Sequence, residues 1–418
     1  MVLCRRLLLI LLCALPASAE HLLIPMDLDQ RNHLKAYGLA FWAIERGLVV
    51  EWLLNYRSGS FLLKAHDLVA VEAQIRGVNI EPISPAGEAL IRAEIDGANM
   101  DIARLEKAPR IAVYTPPNSQ PWDDAVTMAL EYAQIPYEKI WDEDVLQGRL
   151  SEYDWLHLHH EDFTGQYGKF YGNFGRKKWY RQQQSLYEAE AGRLGFATVA
   201  EEKKAVAQAI YAYVAQGGFL FAMCSATDSF DIALAAHQTD IAHEIFDGDP
   251  ADSHAQARLD YDRTMAFTGF TLEMNPLVYE YSDIDTTPEV RQVRSAEADY
   301  FSLFEFSAKY DPVPTMLTQC HTNIVNGFLG QTTGFKRHLI KDSVTILGDV
   351  EDTPEVKYIH GQAGKGTFTF YGGHDPEDHR HHVGDPPTQL DLFPNSPGYR
   401  LILNNVLFPA AKKKERKT

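Results

Sequence analysis

The residues that could do chemistry in this chain stand where two apolar runs end. The first run is Gly217-Gly218-Phe219-Leu220-Phe221-Ala222-Met223, and it stops at Cys224-Ser225-Ala226-Thr227-Asp228. Two glycines followed by a short apolar run read as a buried strand, and the residues from Asp228 onward read as the start of a helix. A thiol at such a sharp strand-to-helix bend sits where a nucleophile is exposed, and the crowded backbone there requires small neighbours such as Ala222 and Ala226. The bend also sets the Ser225 N–H at a helix N-terminus, where it can lower a thiol pKa and hold an oxyanion. A cysteine by itself more often just ends a core strand, so a partner is needed.

The second run supplies one. Gly366-Thr367-Phe368-Thr369-Phe370-Tyr371-Gly372-Gly373 is a strand of alternating β-formers, and it ends at His374-Asp375-Pro376-Glu377. A thiol nucleophile needs a base, and the base needs an orienting carboxylate. Cys224, His374 and Glu377 form that set at the C-terminal ends of two strands.

These two stretches resemble the class I glutamine amidotransferases, in which a G-x-C-x-G bend is followed late in the chain by a strand and an H-P-E triplet. The resemblance implies Cys224 as nucleophile, His374 as base and Glu377 as orienting acid. The chain departs from the pattern twice: both glycines are alanines (Ala222, Ala226), and Asp375 is inserted within the triplet. The insertion leaves Asp375, Glu377 and Asp378 as alternatives for the acid. In the resembling fold the loop after the third strand donates a backbone N–H to the oxyanion. Here that loop is Thr164-Gly165-Gln166, where Gly165 permits the close backbone approach.

Over nearly its full length the chain also resembles an exported bacterial family commonly labelled asparagine synthetase B. The likeness rests on Pro121-Trp122-Asp123-Asp124, the loop from His157 to Asp162, the Cys224 bend and the stretch from Tyr371 to Glu377. The motifs of that label are missing. Such synthetases use a cysteine exposed by Met removal, whereas this chain has Val2, and it lacks an S-G-G-x-D-S pyrophosphate loop. What the resemblance implies is an amidotransferase-like hydrolase, not an ATP-dependent synthetase.

The loop after the third strand reads His157-Leu158-His159-His160-Glu161-Asp162, and the region after His374 adds Asp378, His379, His381 and His382. His157 and His159 alternate on a strand and share a face. His159, His160, Glu161 and Asp228 are candidates for substrate binding. Seven of the sixteen histidines lie in these two loops, so a divalent metal built from His157, His159 and His379 is an alternative to a hydrogen-bonded polar rim. No spaced ligand signature such as H-E-x-x-H fixes it, and the primary expectation is that no cofactor is required.

Elements that would position these residues follow in order. Residues 20–105 read as an N-terminal α/β unit, with strands near 21–26, 49–56 and 61–63, a helix over 29–46 and turn residues at 57–60, and this alternation implies a mainly parallel sheet. A second unit begins at 106, with strands at 108–115, 137–140 and 153–159, helices over 122–133 and 199–216, and then the Cys224 strand. Strand–helix alternation with ligands at strand ends predicts a doubly wound, mainly parallel, flavodoxin-like sheet over 106–239 and 341–411, closed by a helix over 399–408. Residues 240–340 read as an insertion or lid.

Residues 1–19 carry Arg5-Arg6, an apolar core and Ala17-Ser18-Ala19, the pattern of a signal peptide cleaved near Ala19. The mature protein is then exported, periplasmic or extracellular, with no later segment apolar enough to cross a membrane. Its remaining cysteines, Cys224 and Cys320, are far apart in sequence and are expected to stay unpaired, with the core large enough to do without a staple. A net charge of −18 excludes nucleic acid as a natural partner. The basic tail, 412–418, reads as a solvated terminus. Three functions follow: a Cys224-dependent hydrolase of a small-molecule, peptide or glycan amide, a metal-dependent hydrolase using the two histidine loops, or a non-catalytic envelope binding protein.

Overall fold

The computed structural model describes residues 19–290 and 294–411; residues 1–18 of the expected signal peptide and the basic tail lie outside the described residues. The N-terminal unit contains strands β1 (His21–Ile24), β2 (Val50–Leu54), β3 (Ser60–Lys64), β4 (Glu81–Ile83) and β5 (Asp101–Leu105). They form one sheet in the order β4-β1-β3-β2-β5, and every neighbouring pair is antiparallel. Helices His33–Glu45 and Asp67–Arg76 follow β1 and β3, so the first four strands make a split β-α-β-β-α-β unit. The strand–helix alternation predicted a parallel sheet here; the structure corrects it. The segment between β2 and β3 is a tight reversal, with Asn55, Arg57 and Ser58 at positive φ and Gly59 closing it. A connection that short joins only antiparallel strands. Arg57 then fixes the turn by ion pairs to Asp27, Asp29 and Glu81.

The second sheet has ten strands. Its parallel part holds β6 (Ile111–Tyr114), β7 (Glu138–Ile140), β8 (Trp155–Leu158) and β9 (Phe219–Met223). The rest comes from β10 (Tyr300–Leu303), β11 (Ile324–Asn326), β12 (Phe335–Lys336), β13 (Thr345–Asp349), β14 (Glu355–Ala363) and β15 (Gly366–Tyr371). The order is β11-β10-β13-β14-β15-β9-β8-β6-β7, with β12 paired to β14. Strands β15, β9, β8, β6 and β7 run parallel, while β10 to β14 are antiparallel to their neighbours.

The doubly wound, mainly parallel, flavodoxin-like sheet expected from the sequence is therefore overturned. The protein is mixed α/β, with one wholly antiparallel sheet and one half-antiparallel sheet. The cause is local: Gly364, at φ +60, turns β14 straight back into β15, and such a hairpin cannot continue a parallel winding. The 240–340 region is no detached lid, since its later part contributes β10, β11 and β12 to the sheet. Its earlier part is pinned by Asp231, whose carboxylate accepts the N–H groups of Met265, Ala266 and Phe267 at 2.7, 2.7 and 2.9 Å.

Fully apolar strands such as Phe219-Leu220-Phe221-Ala222-Met223 are buried on both faces, as a central parallel strand must be. Helix Val199–Gln216 packs beside helix Ser225–Ala235 and against β15, while helices Ala125–Ala133 and Pro397–Leu407 pack against His33–Glu45 of the first unit. Among the described residues no helix is long and apolar enough to cross a membrane.

Candidate functional site

Cys224 ends β9 and opens helix Ser225–Ala235, with φ 51 and ψ −140. That conformation is unfavourable for a residue with a Cβ and costs about 1–3 kcal/mol, so the surroundings must impose it. They do: Thr227 donates both its N–H (3.1 Å) and its hydroxyl (2.7 Å) to the Cys224 carbonyl. Ala226 N–H donates to the His159 carbonyl at 3.1 Å, which ties the bend to the histidine loop. The Cys224 sulfur accepts the Gln331 N–H at 3.3 Å. Both Cys224 and Cys320 are free thiols, as expected.

His374 follows β15 and is held by its N–H to the Leu329 carbonyl, 3.0 Å. The 329–331 loop can sit this close only because residue 330 is glycine; a Cβ there would come within 2.9 Å of the His374 nitrogen. The His374 imidazole meets His159, Nδ1 to Nε2, at 3.1 Å. Its other nitrogen, Nε2, is 3.5 Å from Asp123 Oδ1. His159 likewise has its second nitrogen, Nδ1, 3.4 Å from Asp124 Oδ1. His160 Nε2 lies 3.9 Å from Glu161 Oε1, and its Nδ1 is buried without a hydrogen-bond partner. One ring nitrogen of each of His159, His160 and His374 lies within 4.8 Å of the other two. Of the four further groups that meet the same separation among the described residues, two adjoin this one: Asp123 with His374 and His381, and Asp124 with His157 and His159.

The carboxylates are strongly polarised by this company. Burial alone would raise Asp124, but the imidazoles of His157 and His159 hold it well below the usual carboxylate range. Burial works against Asp123 in the same way and is overcome by His374 and His381, so that carboxyl is also lowered. Glu161 is pushed up to about 8 by burial and by Asp124. Burial, with His159 and His374 beside it, drives His160 far down, so its ring is neutral at any ordinary pH. His381 would be lowered by burial, yet Asp123 and Asp378 raise it to about 9.

Placement of the sequence-derived candidates is uneven. Cys224, His160 and His374 line one cavity of about 260 Å³, together with Gln331 and His381. Glu377 does not orient His374: its own N–H reaches Asp375, its carboxyl is turned to Ser396, and Asp123 holds the place beside the imidazole. Asp228 faces away from the cavity, accepting from Thr332 Oγ1 and Ser229 N–H at 2.9 Å each, which ties the bend to the 331–333 loop. Gly165, at φ +76, packs so tightly on Ala200 that a Cβ would lie 2.5 Å from its Cα, and it lines a separate small cavity. Ser225 begins the helix next to the thiol.

The metal set His157, His159 and His379 is not assembled. His157 is saturated between the Phe221 carbonyl (3.1 Å) and Asp124 (3.2 Å), and His379 lies against the Gly327 carbonyl and Asp299. Sequence reasoning missed Asp123, Asp124 and Gln331 as site residues. For the aspartates a signal existed: Asp124 caps helix Ala125–Ala133 by accepting from Val126 and Thr127, the pattern of an Asp just before an apolar helical run. Gln331 had none, because only tertiary packing brings it to the thiol. A larger cavity, about 770 Å³, lies at the opposite ends of the strands between Val145, Tyr213, Phe219 and Phe408, and neither histidine nor cysteine lines it.

No family model matches the chain, and no curated protein matches it. Among solved structures it is similar to the cytoplasmic protein STM3548 of Salmonella typhimurium, at 11% identity and TM-score 0.34, over 73% of this chain and 100% of that one. The cytoplasmic protein STM1381 of Salmonella typhimurium LT2 matches at 12% identity and TM-score 0.34, over 72% and 99%. A GH42 beta-galactosidase, Gan42B, matches at 12% and 0.26, over 74% of this chain and 31% of its own. Likenesses this distant carry neither fold nor activity to this chain.

Proposed function

We propose that the protein is a metal-assisted hydrolase of an amide or related carbonyl bond, with His159, His160 and His374 holding one divalent ion of the zinc class. The observation that carries this reading is that one ring nitrogen of each of the three imidazoles lies within 4.8 Å of the other two, while Asp124 and Asp123 stand 3.4 and 3.5 Å behind the other nitrogens of His159 and His374. Asp124 and Asp123 thus back His159 and His374, while Glu161, pushed up to about 8, stands beside His160 as a neutral carboxyl near pH 7. Metal-binding histidines are held in this way, because the rear carboxylate fixes the ring and raises its basicity. Two nitrogens on one tetrahedral zinc at bond lengths of about 2.0–2.1 Å stand about 3.3 Å apart, close to the 3.1 Å between His159 and His374. A simple imidazole–imidazole hydrogen bond also fits that distance, yet it leaves the buried Nδ1 of His160 without a partner.

When bound, such an ion polarises a carbonyl and makes water a nucleophile near neutral pH. This chain's own groups would shape the rest of the site. Gln331 N–H and the helix start at Ser225 offer donors beside Cys224. Three-histidine coordination leaves a position open, as catalytic zinc requires. The test is metal content after equilibration with zinc and dialysis, alongside turnover of an amide and ester panel. One ion per chain and turnover lost in His160→Ala support the reading; full turnover by metal-free protein ends it.

A second reading keeps Cys224 as the nucleophile, favoured by its imposed φ of 51 on the cavity wall. His374 would serve as its base, and Asp123 rather than Glu377 as the orienting acid. The two readings part on Cys224→Ala, which abolishes thiol-dependent turnover but leaves metal binding intact. Export is part of either proposal, and the N-terminal sequence of the secreted protein checks it, with Glu20 expected first.

A further inference from the structure

One stretch of the surface runs against the charge of the whole molecule. The chain carries −18 overall, yet between Asp162 and Glu188 it has no acidic residue. Within that stretch Arg176, Lys177, Lys178 and Arg181 are all exposed. None of the four is ion-paired among the described residues; Arg181 reaches only the neutral Gly175 carbonyl, 3.4 Å from its Nε. They stand at the start of helix Lys178–Leu194, whose first turn holds no acid and whose N-terminus no side chain caps. A helix N-terminus favours negative charge, so cations there work against the helix. Arg176, Lys178 and Arg181, with Gln182 and Ser185, line an open groove of about 470 Å³. Apolar groups adjoin it. Leu277, 66% exposed, lies against helix Tyr171–Phe174, where a Cβ at Gly172 would come 3.0 Å from the Leu277 carbonyl oxygen. Trp179, half-buried, packs on Trp122, Phe170 and Phe174 at 5.5, 5.8 and 5.4 Å, and those three rings line the 260 Å³ cavity.

We propose that this surface docks the protein on an anionic lipid bilayer. Unpaired lysines and arginines beside an exposed aliphatic side chain and a half-buried tryptophan suit a layer of phosphate headgroups over hydrocarbon. The four cations meet lipid phosphates, which also bring the negative charge that the helix start lacks, and Leu277 enters the apolar boundary. The −18 of the whole chain does not prevent this, because exposed charges are screened beyond about 8 Å at physiological salt. A free phosphate in the groove would answer some of the cations but leave Leu277 in water, so the observations favour a surface over a soluble anion. Docked in this way, the protein holds the cavity edge formed by Asn173 and Phe174 next to the headgroups. The docking stands whether or not that cavity hydrolyses anything.

Co-sedimentation of the full-length mature protein with vesicles of phosphatidylcholine, alone or with about one-third phosphatidylglycerol, tests the proposal. Binding to the anionic vesicles is expected to be tighter by about tenfold or more, and to be lost as salt is raised. Each basic side chain at such a surface strengthens binding roughly fivefold, so Arg176→Gln with Lys178→Gln should weaken it by about 25-fold. Leu277→Gln should weaken binding to both kinds of vesicle. Exchange of two exposed lysines outside this surface, Lys139→Gln with Lys365→Gln, should change it by less than about twofold. Melting curves confirm that each variant is folded. Equal binding to the two vesicle compositions, no binding to either, or a preference that survives Arg176→Gln with Lys178→Gln would overturn the proposal. Release by inorganic phosphate at the concentration of the lipid phosphate would overturn it too, because the groove would then be a site for a free anion.

Discussion

Two buried histidine clusters in this protein are built on opposite plans. In the first, His33 and His321 pack ring to ring at 4.7 Å, and Arg400 lies between the N-terminal sheet and the main unit, 3.1 Å from His321 Nδ1. Its guanidinium also donates to the carbonyls of Met26 and Ser58 at 2.8 Å each. Burial and the Arg400 charge push His33 down to about 3 and His321 down to about 4, so both rings are neutral. In the second cluster, at His159, His160 and His374, the charges behind the His159 and His374 rings are the carboxylates of Asp124 and Asp123. The first carries its cation as part of the chain. The second is arranged as if a cation were to be added. Histidine burial alone therefore does not mark a metal site; the sign of the charge behind the ring does.

That contrast can be broken most sharply at the second cluster. His374→Ala should weaken zinc binding by more than about 100-fold, since it removes a ligand and not merely its support. Asp124→Asn should cost about 10–100-fold in zinc affinity, read by competition with a chelating dye, because the carboxylate behind His159 is lost while asparagine still caps the helix. At the first cluster the expected effect is on folding. Arg400→Met leaves the Met26 and Ser58 carbonyls without their buried donor and should lower unfolding free energy by about 2–4 kcal/mol, with zinc affinity unchanged. A loss of zinc binding in Arg400→Met would erase the distinction between the clusters.

A further test concerns the support around the thiol. Asp228 is raised from 3.8 to about 7, first by burial and partly offset by Thr332 and Ser229. The folded state then keeps a proton that the unfolded chain releases, so this group's contribution is greatest below pH 4 and is lost as pH rises through 7. Asp228→Asn should flatten that part of the melting-temperature profile, and an unchanged slope would show the carboxyl to be ionised in the fold. The smallest effect is expected at Glu377. Glu377→Gln should change turnover by less than about twofold, because Asp123 stands beside His374.

How far these features could be read from the sequence depends on the range of the interactions that make them. The Cys224 bend, the helices behind it and strands β6 to β9 were legible, since Gly217-Gly218, an apolar run and small flanking residues act locally. The approach of the two histidine loops was legible only as a possibility, because both follow strands whose adjacency is a tertiary fact. The direction of the strands was misread. Hairpins such as the one through Asn55 to Gly59 depend on backbone turns that a strand–helix alternation conceals. The acid was misplaced for a related reason: Glu377 is near His374 in sequence, whereas Asp123 reaches it from the loop after β6, 251 positions away.

The measurement that tests the central claim most directly is the zinc content of the mature protein beside its His160→Ala variant. Both would be equilibrated with excess zinc, dialysed, and read by elemental analysis, with a melting curve confirming that the variant is folded. The account predicts one zinc per chain in the natural sequence and none retained in the variant. No retained zinc in the natural protein, or equal zinc in both, would contradict it.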